Sequence, residues 1–218
     1  MIRLIIPLVL IAGLAAVSFC RNTLWSDEIR IWSDVISKNP MKSRAYANIA
    51  IAYEARKMMK EAIAMNERAI ERAPNPIAYN SLGNIYRDLG RPDKAIEFFS
   101  AAIIYNPGIV HLFNNRGIVY AQTGQYDKAV ADYTRALSLS PGYGEAYVNL
   151  GNAYDEMGRP ARAIEAYTKA IRLNPRYAAA YYNRGITLNR TGNIAECRSD
   201  FLQACSLGSA EACAELKN

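Results

Sequence analysis

Five copies of one pattern, each 33 or 34 residues long, fill the chain from Ser43 almost to its end. The second copy reads Tyr79, Leu82-Gly83, Tyr86, Ala95, Phe99, Ala102, Pro107. The third reads Phe113, Arg116-Gly117, Tyr120, Ala129, Tyr133, Ala136, Pro141, and the fourth Tyr147, Leu150-Gly151, Tyr154, Ala163, Tyr167, Ala170, Pro175. The first is looser, with Ala50 for the glycine and Asn66 for the second aromatic. The last decays, with Leu188, Cys197 and Ser209 in place of Tyr, Ala and Pro. A period of this length belongs to supersecondary units that bury their apolar faces only against their neighbours.

Each copy reads as two helices. Tyr79, Leu82, Gly83 and Tyr86 stand at i, i+3, i+4 and i+7, one face of a helix, and Ala95, Phe99 and Ala102 define a second. Gly90-Arg91-Pro92 and Gly158-Arg159-Pro160 lie between them, where glycine ends a helix and proline opens the next. The small residues let backbones approach, and the aromatics fill the space between them. Most of the 15 tyrosines find a packing role in this way.

These spacings resemble the tetratricopeptide family over residues 43 to 211. The resemblance implies an all-α superhelical solenoid of five helix-hairpin repeats, at 43–75, 76–109, 110–143, 144–177 and 178–211. Residues 21–42 read as a juxtamembrane capping half-repeat, because Trp32, Val35 and Pro40 hold the places of Phe99, Ala102 and Pro107. Residues 210–218 read as a short C-terminal cap.

The chain carries little that could do chemistry. His111 is its one histidine, from which a His-assisted nucleophile or a His-rich metal site is hard to assemble. No glycine-rich phosphate loop follows a strand. Carboxylates such as Glu61 and Asp155-Glu156 are spaced as solvated helix charges. We therefore expect no enzyme activity, cofactor, metal or small-molecule substrate. The net charge of +6 comes without a lysine or arginine run, so nucleic acid is not expected either.

Function is then expected on the concave surface, which the first helix of each repeat lines in this family. One register position there carries Asn48, Ser81, Asn115, Asn149 and Asn183; neighbouring positions add Asn80, Asn84, Asn114 and Asn152. Asparagine is a poor helix former, so its return calls for a cause. Its amide offers donors and an acceptor to a peptide backbone. Repeats roughly 10 Å apart would present one amide to about every third residue of an extended chain. The tetratricopeptide part of O-GlcNAc transferase carries a similar ladder that grips substrate backbone. The competing reading is that these amides satisfy neighbouring side chains. Co-chaperones of the family bind C-terminal carboxylates through cations that are missing here, and Glu145 would repel such a ligand. Arg44, Arg87, Arg184 and Arg190 are expected to be mostly solvated.

Leu4 to Phe19 are sixteen residues without a charge, flanked by Arg3 and Arg21. Residues 1–20 read either as a cleaved signal peptide or as a short transmembrane anchor; the length of the apolar run favours the anchor. Lipidation of Cys20 is disfavoured by the bulky Phe19. The flanking charge places the repeats on the extracytoplasmic (periplasmic) side of a bacterial plasma membrane. Arg21-Asn22, Trp25, Ile31-Trp32 and Asn39-Pro40 resemble the junction that joins polytopic glycosyltransferase-like membrane proteins to C-terminal repeats of this family. Cys205 and Cys213 resemble the disulfide-bonded pairs of the cysteine-rich secreted subclass; two buried reduced thiols are the alternative.

Two functions fit. One is a membrane-anchored scaffold that binds an extended segment of a protein partner, itself a membrane or periplasmic complex, through the groove. The other is a single-span accessory subunit that stabilises a larger membrane complex.

Overall fold

The structure is a computed structural model that describes residues 28–216. These form twelve helices: α1 (Glu28–Lys38), α2 (Ser43–Ala55), α3 (Met59–Arg72), α4 (Pro76–Asp88), α5 (Pro92–Tyr105), α6 (Val110–Gln122), α7 (Tyr126–Leu139), α8 (Gly144–Glu156), α9 (Pro160–Leu173), α10 (Ala178–Arg190), α11 (Ile194–Ser206) and α12 (Ala210–Glu215). No strand occurs among the described residues. No helix among them is long and apolar enough to cross a membrane. The span expected over residues 4–19, Cys20 and most of the junction lie outside the described residues.

The chain divides into two compact units, one ending at Ile85 and the other beginning at Tyr86. In the first unit, α1 buries none of its residues fully. Its Ile36 packs on a small core of Tyr46, Ala47, Ala69 and Ala78. The α4 N-terminus is fixed by Asn75, whose Oδ1 accepts from the N–H of Ile77 and Ala78 at 3.1 and 3.2 Å. This is an N-cap followed by Pro76 at the first helical position, which satisfies donors the helix cannot bond itself.

In the second unit, α6/α7, α8/α9 and α10/α11 are successive hairpins. Each first helix packs on its own second helix and on the second helix before it. The tight approach has a measurable cause. A Cβ built on Gly117 would stand 2.6 Å from the Tyr133 ring, one on Gly151 2.4 Å from Tyr167, and one on Gly185 2.7 Å from Phe201. The rings lie flat on bare backbone and are themselves buried. Repeat one shows the reciprocal case: with Asn66 where the ring should be, Ala50 is accommodated in place of glycine and is fully buried.

The turn inside each hairpin needs a left-handed residue. Gly90, Gly124, Gly158 and Gly192 adopt φ between 66° and 82° there. Repeat one places Lys57 in the same turn at φ 60°, the one described non-glycine residue with positive φ.

The second unit ends on α12. Its N-terminus is capped by Ser209, whose Oγ accepts from the Ala212 N–H at 3.2 Å. Ala212 and Leu216 close over Leu188, Cys197, Phe201 and Ala204. Cys205 and Cys213 are joined as a disulfide, with their Cα atoms 4.8 Å apart. Cys197 is a buried free thiol.

Candidate functional site

The asparagines singled out above fall in both units. In the first, Asn48, Asn80 and Asn84 are half-buried. Ser81 is buried. It accepts from Asn66 Nδ2 at 2.7 Å and donates to the Glu54 carboxylate. The interruption of the asparagine run at Ser81 is thus one member of a polar cluster that repeat one builds where the others place an aromatic ring. Sequence reading noticed Asn66 and Ser81 separately. It did not join them, because they lie on α3 and α4 and only the fold brings them together.

In the second unit the amides bond from helix to helix. Asn149 on α8 donates to Asn114 Oδ1 on α6 at 3.0 Å, and Asn114 donates to Glu145 Oε1 at 3.3 Å. One hairpin further, Asn183 on α10 donates to Asn152 Oδ1 on α8 at 2.9 Å. The same Asn152 oxygen accepts from the Tyr167 hydroxyl at 2.8 Å. Burial pushes that phenol well above its ordinary pKa, so it remains a donor at neutral pH. Further along α8, Asp155 accepts from Arg190 and from Thr187 Oγ1 of α10.

The position of each amide decides what it can offer. Asn114 is 1% exposed, so it braces α6 against α8 and cannot face a partner, contrary to its expected place in the groove. Asn115, Asn149 and Asn183 are half-buried, and Asn152 is exposed. Asn149 and Asn183 each use one of two N–H donors in the bonds described, and an amide oxygen has two lone pairs. They are amides held in fixed orientation with bonding capacity beyond the brace.

The arginines are a second departure. Arg184 forms a two-pronged pair with Asp200, Nε and Nη2 each at 2.7 Å, and its Nη1 reaches Thr168 Oγ1 at 2.9 Å. Arg116 repeats this with Asp132, both prongs at 2.8 Å, and with Ser100 Oγ at 2.9 Å. Both aspartates are buried. Arg190 lies against Asp155, and Arg87 against Asp88 at 2.9 Å. The solvated role expected for Arg184 is therefore corrected, since it ties three helices together, as Arg116 also does, whereas Arg190 stays exposed. The signal was present as an alternation. Leu82, Arg116, Leu150 and Arg184 share one register position, and Phe98, Asp132, Ala166 and Asp200 another, so arginine and aspartate appear together in every second repeat.

His111, in the first turn of α6, is exposed. Among the described residues no group of three or more His, Cys, Asp or Glu could hold a metal ion.

With this geometry in place, comparison with known proteins defines the class. Models described as tetratricopeptide repeat match residues 43–76, 76–108, 108–176 and 148–212. The chain carries tetratricopeptide repeats across that whole stretch. No curated protein matches its sequence. Among solved structures it is similar to the crystal structure of MamA, at 26% identity and a TM-score of 0.70, over 75% of this chain and 96% of that one. It is also similar to YrrB, described as a TPR protein with an unusual peptide-binding site, at 22% identity and 0.73, over 85% and 97%. PilF of Pseudomonas aeruginosa matches at 21% identity and 0.69, over 77% of each chain. At these identities the last two establish the fold alone.

Proposed function

We propose that this chain is a non-enzymatic interaction scaffold whose first-helix face holds an extended segment of a partner protein. The carrying observation is the set of half-exposed amides on successive first helices, Asn115, Asn149, Asn152 and Asn183, the last three of which are oriented by bonds to neighbouring helices. An amide already held in place loses less rotamer freedom when it bonds a peptide group. YrrB, a peptide-binding protein of this fold, supports the reading by likeness of fold.

The same proposal places the scaffold on the extracytoplasmic side of a bacterial plasma membrane, tethered through residues 4–19. The Cys205–Cys213 disulfide supports this, because such bonds persist in oxidising compartments. The mutual bonding of Asn114 with Asn149 and of Asn152 with Asn183 favours a second use of the same array, as a rigid accessory subunit held permanently in a membrane complex. Gentle detergent extraction separates the two: the subunit emerges in fixed ratio with its complex, the scaffold largely free.

The test is capture of partners from detergent-solubilised membranes, read by mass spectrometry, with wild type beside Asn115→Ala/Asn149→Ala. The double variant loses two polar pairings, and the partner's affinity falls by about 1–3 kcal/mol. Asn149→Ala also removes the brace on Asn114, so the melting temperature drops by about 2–4 °C for a chain of this size. Equal capture by both proteins rejects the amide ladder.

A further inference from the structure

The strongest unassigned feature of the second unit is on the side formed by its second helices. Between α7 and α9 lies a cleft of about 310 Å³. Its floor is Leu137, Leu150 and Ala166, and its walls are the rings of Tyr147 and Tyr154. The cleft owes its apolar floor to the alternation described above. In the neighbouring repeat the equivalent space between α9 and α11 is floored by Arg184 and Asp200, which bond each other. In repeat four those two positions are Leu150 and Ala166, so a space of similar size, about 310 Å³ against about 320 Å³, has an apolar floor instead of a charged one.

The edge of this cleft is basic. Arg159, Arg162, Lys169, Arg172 and Arg176 face a single acidic residue, Glu165, over residues 159–176. All six are exposed. Positions 162, 165, 169 and 172 recur at the three- and four-residue steps that keep a helix face, so these charges form one ridge along α9, with Arg159 and Arg176 just beyond its two ends. Glu165 is engaged by Lys169 at 2.8 Å. Two of the cations also sit over the walls of the cleft: Arg162 lies 5.6 Å from the centre of the Tyr154 ring, and Lys169 6.0 Å from that of Tyr147.

We propose that this cleft is a docking site for an acidic peptide segment carrying one large apolar side chain. The side chain enters between Tyr147 and Tyr154 onto Leu150 and Ala166, and the flanking carboxylates meet Arg162 and the rest of the α9 ridge. A single buried anchor surrounded by charges that exclude water is how small protein interfaces concentrate their affinity. The excess of cations selects acidic chains and speeds their encounter. An anionic bilayer would also be attracted to the ridge, but its flat surface has no use for a recess deep enough to take one side chain. This site lies apart from the amide line of the first helices, so it can succeed or fail independently of the scaffold reading.

The test uses full-length protein in detergent micelles and two fluorescein-labelled synthetic peptides, one with four aspartates on each side of a phenylalanine and one with alanine in its place. The phenylalanine peptide binds wild type at least tenfold more tightly than the alanine peptide, read by fluorescence anisotropy. Ala166→Phe fills the recess and abolishes that difference. The change copies the Leu82 and Phe98 pairing of repeat two, and an unaltered far-ultraviolet circular dichroism spectrum and melting curve verify that the variant folds. Arg162→Ala/Arg172→Ala weakens both peptides and flattens the salt dependence. Equal binding of the two peptides by wild type, or full retention of the phenylalanine preference by Ala166→Phe, overturns the proposal. So does displacement of the phenylalanine peptide by phosphatidylglycerol vesicles that bind wild type and Ala166→Phe alike.

Discussion

At the scale of single residues, the two arginine–aspartate pairs have the largest energetic consequence. Asp132 is 6% exposed and Arg116 presents two parallel N–H groups to it. Removing one partner of a buried pair strands the other charge, whereas replacing both with apolar residues is often neutral. Arg116→Leu alone should destabilise the protein by about 3–5 kcal/mol in urea unfolding. Arg116→Leu/Asp132→Ala, which copies Leu150 and Ala166 of the next repeat, should recover most of that loss. If the double variant is as unstable as the single one, the pair is not a self-contained unit and the alternation has another cause. The residues that define the hairpins were legible in the sequence because each is dictated by a local need: a ring over bare backbone, or an alanine where helices touch. Arg116 and Asp132 were visible only as an alternation between repeats, because they lie 16 residues apart on different helices and neither breaks the helical pattern around it.

At the scale of elements, the sequence marks where helices start and stop, and the reasons are turn chemistry. Proline opens α4, α5 and α9 and glycine closes four of the hairpin turns. The last element depends on more than propensity. Helix α12 has six residues, well below the length at which a helix holds itself in water. It is kept in place by the Ser209 cap, by Ala212 packing on the α11 face, and by the disulfide across a separation of eight residues. Reduction with dithiothreitol, or Cys205→Ser/Cys213→Ser, should cost about 2 kcal/mol. The loss should appear first as fast amide hydrogen exchange over residues 209–216, with exchange in α8 unchanged. Slow exchange over 209–216 after reduction would mean that packing alone holds the cap.

At the scale of the whole molecule, the fold class and the five hairpins were legible because a repeat states the same instruction several times. The candidate site was legible only in part. The register pointed to Asn115, Asn149 and Asn183, but whether an amide faces solvent or braces a neighbouring helix depends on tertiary packing, as the burial of Asn114 shows. Departures from the pattern carry information of their own, and they gather in repeat one. Asn66 is fully buried, and its Oδ1 is the one buried side-chain polar atom without a partner among the described residues. Such an atom costs about 1–3 kcal/mol. Lys57 holds a left-handed conformation that glycine adopts in the other hairpins, at a further cost of about 1 kcal/mol. In arrays of repeats, stability is close to a sum of local terms, so these costs stay near where they arise. Native-state hydrogen exchange should therefore find α2 and α3 opening at lower free energy than α8 and α9. Lys57→Gly should raise the opening energy of α2 and α3 by about 0.5–1 kcal/mol, because it relieves the strain at the small entropic disadvantage of glycine. Asn66→Tyr combined with Ala50→Gly should raise it further, since it restores the ring-on-backbone contact seen at Tyr167 over Gly151. Equal protection of the two hairpin pairs in the wild-type protein would show that the polar cluster of Glu54, Asn66 and Ser81 stabilises repeat one as well as an aromatic ring stabilises the others.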